Sequence, residues 1–143
     1  MTKVTLAQAR KIIASAFEEA ARLKLKPLAV VVLDDGGHSV AFERQDGASA
    51  MRFKIAHGKA YGAIAMGLGS RTLFERAQAQ PYFVSAMNSL ADGALVPVPG
   101  GVLIRDGDGT LLGAVGVTGD NSDNDESCAV VGIEAAGLVA DPG

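Results

Sequence analysis

Apolar residues recur every three or four positions at the start of the chain, at Leu6, Ala9, Ile13, Ala16, Phe17 and Ala20. Gln8, Arg10, Lys11, Glu18, Glu19 and Arg22 occupy the opposite face. That period predicts an amphipathic helix laid on a core, capped by Thr5. It should end before Pro27, because proline disfavours helix at the residue preceding it. The pattern then changes. Leu28 to Leu33 is an unbroken, valine-rich apolar run, the mark of a buried strand. Asp34-Asp35-Gly36-Gly37 supplies turn residues and Ser39 to Arg44 returns, so a hairpin is predicted.

Gln45-Asp46-Gly47-Ala48 breaks the strand and leads to a second helix, from about Ser49 to Met66. Phe53, Ala56, Ala60, Ala63 and Ile64 form its stripe, and small residues elsewhere allow close packing on a sheet or another subunit. Gly67 and Gly69 close it, Ser70 caps a shorter helix through Ala79, and Pro81 stops that one. Residues 82–92 read as a helical turn or two. Pro97 and Pro99 lack the N–H that a central strand needs, so the segment before Gly100 is irregular. Val102 to Arg105 and Leu111 to Val117 flank Asp106-Gly107-Asp108-Gly109 and predict a second hairpin. Asp123 and Glu126 resemble a capping box ahead of a last helix, apolar from Cys128 to Val139 except at Glu134. The order α-ββ-α-α-ββ(β)-α predicts an α+β fold, a mostly antiparallel sheet covered by helices.

A chain of 143 residues predicts one domain, spanning 1–143. Hydrophobic residues make up 48% and charged residues 20%, which excludes a disordered tail. The net charge of −3 argues against a nucleic-acid partner, which would call for a basic face. Cys128 is the single cysteine, so no internal disulfide is expected. The N-terminus carries no charged-then-apolar leader pattern, and there is no apolar run of about 18 residues. The expectation is a cytoplasmic protein with no membrane partner.

Familiar catalytic signatures are missing. No dinucleotide or phosphate loop opens a helix, and one cysteine with two histidines makes no zinc spacing. Asp106-Gly-Asp-Gly lacks the downstream ligands of a calcium loop and reads as a turn. Chemistry therefore rests on single residues. His57, one turn before Tyr61, offers an imidazole competent to bind iron or shuttle protons; His38 falls in a turn. Lys59 lies among small residues, where it must snorkel or meet a carboxylate such as Asp125 or Glu126. Arg44, at a strand end, could clamp a carboxylate or serve a surface ion pair.

Several blocks, taken together, resemble a known family. They are Leu28-Ala-Val-Val-Val-Leu-Asp-Asp-Gly-Gly-His38 with Arg44-Gln-Asp-Gly47, and Ile55-Ala-His-Gly-Lys-Ala60. Pro99-Gly-Gly-Val-Leu-Ile104, Gly113-Ala-Val-Gly-Val-Thr-Gly119 and Asp125-Glu-Ser-Cys-Ala129 follow. In order and spacing the chain is similar to the GlcG/HbpS-like heme-binding domain, also found as the C-terminal domain of PduO-type proteins. The resemblance implies a profilin-like α+β domain that forms homo-oligomers, often octamers. Some members of that family bind heme, and others accompany corrinoid metabolism or catabolic genes.

Three functional readings follow. In the first, the protein handles heme: His57 ligates iron, with Tyr61 and Met66 as the next candidates, and Arg44 or Lys59 meets a propionate. In the second, it is a small cofactor-independent enzyme of organic-acid or aromatic catabolism. Lys59, Glu126 and His57 would then do proton chemistry, Arg44 would hold a substrate carboxylate, and Gly100 and Gly101 would offer backbone N–H groups. In the third, it is a non-catalytic oligomeric accessory protein. The enzyme reading requires Lys59 or Glu126 to face open space.

Overall fold

A computed structural model describes residues 3–143; Met1 and Thr2, the first two residues of the expected domain, lie outside the described residues. Helix α1 (Leu6–Leu23) starts on a reciprocal capping box, in which the Thr5 hydroxyl accepts from the Gln8 N–H and the Gln8 side chain accepts from the Thr5 N–H. It stops at Lys24, whose left-handed backbone (φ 56°) turns the chain. Strands β1 (Ala29–Asp34) and β2 (Ser39–Arg44) form the first hairpin, with a register shift at Val32/Leu33. Helix α2 (Arg52–Met66) begins a little later than its sequence pattern implied, since residues 48–51 are spent on loop and turn. Helices α3 (Ser70–Ala79) and α4 (Pro81–Leu90) follow.

The second hairpin pairs β3 (Gly101–Arg105) with β4 (Leu111–Thr118), and α5 (Ser122–Ala135) leads to β5 (Val139–Asp141). All pairings are antiparallel, in the order β2-β1-β4-β3-β5. The β1 strand sits inside the sheet and is covered on both faces, which explains its unbroken apolar run. On one face Val30, Val32, Val102, Ile104, Val115 and Val117 pack with α1 and α5. On the other, Val31, Leu33, Leu103 and Ala114 meet Ala56, Ala60 and Ala63 of α2. The alternation is the strand period of two applied to a sheet with helices on both sides.

Other details also differ from the sequence expectations. Residues 81–90 make a full helix, because Pro81 at the first helical position opens α4 as well as ending α3. The last helix is capped by Asn121, whose side chain accepts from the Asn124 N–H, in place of the Asp123–Glu126 box. It also ends at Ala135, and Val139 to Asp141 go to an edge strand paired with β3.

Two glycines set how closely α2 approaches the sheet. A Cβ at Gly116 of β4 would run into the Ala56 carbonyl, and one at Gly101 of β3 would run into the Lys59 carbonyl. With those positions bare, α2 lies nearly on the sheet backbone.

Candidate functional site: the outer face of helix α2

Phe53, His57 and Tyr61 are four residues apart on α2 and so share a face. Their rings form a ladder: Phe53 and His57 stack with centroids 5.9 Å apart, and His57 and Tyr61 stack at 5.6 Å. Phe42 of β2 meets Phe53 edge-on at 4.8 Å and joins the ladder to the sheet. Tyr61 rests beside the backbone of Gly37, in the first hairpin turn.

Two clefts run along this helix, where it faces α4 and the turn that follows. One, about 260 Å³, is lined by Phe53, Lys54, His57, Asp92, Gly93 and Ala94. The other, about 220 Å³, is lined by Tyr61, Ala65, Met66, Met87, Leu90, Ala91 and Leu95. The three candidate iron ligands named from the sequence, His57, Tyr61 and Met66, therefore border adjoining clefts. The far wall is held in place by backbone bonds: Gly93 N–H to Asn88 at 2.9 Å, and Val96 N–H to the Gly58 carbonyl at 3.1 Å. Asp92 and Gly93 turn the chain with φ of 54° and 84°. Positive φ suits glycine and is tolerated by Asp.

Lys59 points away from these clefts. It reaches past the end of the sheet to bond Asp125 Oδ2 at 3.2 Å and the Val117 carbonyl at 2.9 Å. Burial pushes the Lys59 ammonium below its ordinary pKa, opposed by the Asp125 charge. Burial likewise raises Asp125, opposed by Lys59 and by the Asp120 N–H that Asp125 accepts at 3.0 Å. Glu126 pairs elsewhere, with Arg71 Nε at 2.9 Å; Arg71 also donates to Asp123 at 2.6 Å. Those two carboxylates hold the Arg71 guanidinium above its ordinary pKa, Glu126 more strongly.

The expected acid–base pocket is thus not assembled. Lys59 and Glu126 are each committed to a different partner, and His57 is on another face of α2. Gly101 donates its N–H to the buried Ser70 hydroxyl at 2.7 Å, and the Lys59 side chain packs against Gly100. These two glycines serve packing here. Arg44 donates to the Ala48 carbonyl and lines a broad, open hollow with Phe17, Leu25, Pro27, Glu43, Gln45 and Asp46. That hollow is larger, about 580 Å³, but among the described residues no imidazole, phenol, thiol or thioether lines it. Cys128 is fully buried, and its thiol is pushed up to about 12, first by burial and then by nearby carboxylates. It stays protonated and does not act as a thiolate ligand.

Sequence reasoning passed over Lys54 and Asp92. The four-residue spacing of Phe53, His57 and Tyr61 was a usable signal for the ladder, but nothing in the sequence brings Asp92 across to α2. That contact exists only because the turn after α4 folds back.

The comparisons with known proteins agree with this architecture. A family model described as "Haem degrading protein HbpS-like" matches residues 4–134. No curated protein gives a significant match to the sequence. Among solved structures, PduOC in complex with heme has a TM-score of 0.85 at 25% identity, over 95% of this chain and 96% of that one. A double mutant of Streptomyces reticuli HbpS has a TM-score of 0.78 at 26% identity, over 94% and 87%. The ORFY protein of Klebsiella pneumoniae shares the fold, with a TM-score of 0.85 at 22% identity over 96% and 92%. The family match runs almost from end to end, on a five-stranded antiparallel sheet with helices on both faces: the chain belongs to the HbpS-like family.

Proposed function

We propose that this protein binds and handles heme, with the macrocycle lying against the outer face of α2 and His57 as the iron ligand. One observation carries the reading: His57 lines an open cleft, stacked between Phe53 and Tyr61, with Met66 on the adjoining cleft. The donor set fits the group. Imidazole, phenolate and thioether are all ligands that iron in heme accepts. The aromatic ladder and the apolar wall of Met87, Leu90 and Leu95 suit a flat, apolar ring system. Bound heme would supply iron-centred ligand binding and redox chemistry; the chain's own residues hold, orient and shield it.

Each cleft, at about 260 and 220 Å³, is small for a macrocycle. The proposal therefore includes a homo-oligomer whose second copy covers the exposed side of the heme. Leu90 (78% exposed) and Tyr82 (72% exposed) are the apolar side chains available on α4 for such a contact. An octamer, as the family resemblance implied, and a cytoplasmic setting belong to the same proposal. No helix among the described residues is long and apolar enough to cross a membrane.

A hemin titration followed by absorbance, with His57→Ala and Tyr61→Phe alongside, tests the reading. Saturable binding with a Soret band displaced by His57→Ala is expected. Weak, non-saturating binding that is the same in wild type and His57→Ala would overturn it.

A further inference from the structure

The sequence offered Arg44 and Lys59 as partners for a ligand carboxylate, and neither lines the His57 cleft. Arg44 is held at the Ala48 carbonyl on the edge strand, and Lys59 is closed off with Asp125. Arg52, at the start of α2, donates to the Thr118 hydroxyl at 2.9 Å, away from the His57 cleft. Among the described residues, one cation lines the cleft beside the imidazole. Lys54 is exposed, lines the same cleft as His57, and makes no ion pair with any described carboxylate.

Asp92 lines the same cleft, also exposed and also without an ion-pair partner among the described residues. An ammonium and a carboxylate thus line one space of about 260 Å³ without meeting. The stacked Phe53 and His57 rings line the same cleft. For a ligand that lays a flat ring against that stack, Lys54 is an attractive and Asp92 a repulsive neighbour of any anionic arm.

We infer that Lys54 receives a carboxylate of the ligand bound at His57, and that Asp92 limits anionic ligands to the one orientation that keeps their charge at Lys54. The inference rests on the heme reading, and a heme propionate is the carboxylate it assigns. Lys54 is then a binding residue and Asp92 a specificity residue.

The test uses the full-length protein and two probes, hemin and its dimethyl ester, which differ in carboxylate charge. Each is titrated by absorbance into wild type, Lys54→Met, Lys54→Arg and Asp92→Asn. Asn tolerates the left-handed backbone at position 92, so the last variant keeps the turn. Lys54→Met should weaken hemin about three- to tenfold, Lys54→Arg should restore it, and Asp92→Asn should tighten it about two- to fivefold. The ester should be indifferent to all three changes.

Hemin affinity unchanged in Lys54→Met, with saturable binding still altered by His57→Ala, would overturn this inference and leave the heme reading standing. Equal loss of hemin and ester in Lys54→Met would also overturn it, because the side chain would then act through packing. Wild-type protein that saturates with neither probe would overturn both.

Discussion

Lys59 on one face of the sheet is bonded to Asp125 on the other, Nζ to Oδ2 at 3.2 Å, with both side chains at most 2% exposed. The pair joins α2 to the first turn of α5 around the end of β4, and the Val117 carbonyl receives a second bond from the same ammonium. Asp125 uses its other oxygen to hold the Asp120 N–H, so the loop between β4 and α5 is tied into the same cluster. No buried side-chain polar atom lacks a partner among the described residues.

Breaking that pair should be expensive in stability. Lys59→Met strands a buried carboxylate and Asp125→Asn strands a buried ammonium; either should cost about 3–5 kcal/mol. The double variant Lys59→Met/Asp125→Asn should be less destabilised than the two single effects summed, because no lone charge remains. Urea denaturation of all four proteins gives the coupling directly.

Acid should loosen the same loop. The Asp120 carboxyl is held down to about 2 from 3.8, chiefly by the Asn124 side-chain amide and then by the Lys26 N–H. A carboxylate with a depressed folded pKa adds stability that is complete above its unfolded value and is lost as pH falls towards the folded one. The contribution is therefore present at pH 6 and fading between pH 4 and pH 2. Asp120→Asn should reduce the difference in urea midpoint between pH 6 and pH 3, measured against wild type.

The close seat of α2 predicts a sharp contrast between two glycine substitutions. Gly116→Ala drives a methyl group into the Ala56 carbonyl, whereas Gly107→Ala at the second hairpin turn enters open space. Thermal melts should show the first destabilised by about 1–3 kcal/mol or more and the second within about 0.5 kcal/mol of wild type.

Cys128 should be chemically silent in the folded protein. Buried, with its thiol at about 12, it should resist alkylation at pH 8 in buffer and react readily in denaturant. Fast labelling of the native protein, read by mass, would contradict the placement of α5.

Short-range pattern alone specified several of the helices and strands. The three-four spacing from Leu6 to Ala20, the unbroken run from Leu28 to Leu33 and the Asp-Gly turns each specify one period or one break, so α1 and both hairpins were legible. It also identified His57, Tyr61 and Met66 as one helix's potential ligands, because a helix repeat is a local property. Helix α4 and strand β5 were not legible in the same way. The first has only one deeply buried side chain, Val84, and the second pairs a three-residue tail with β3, so neither carries a strong period of its own.

Which polar residues meet is a property of the packed fold. Lys59 had two adjacent carboxylates to choose from, and the turn of α5 aims Asp125 inward and Glu126 towards Arg71. Asp92 lies 35 positions beyond His57 in the sequence, yet shares its cleft because the turn after α4 is pinned to Gly58. Such pairings are set by where distant segments of the chain are brought together, and no spacing along the sequence records that.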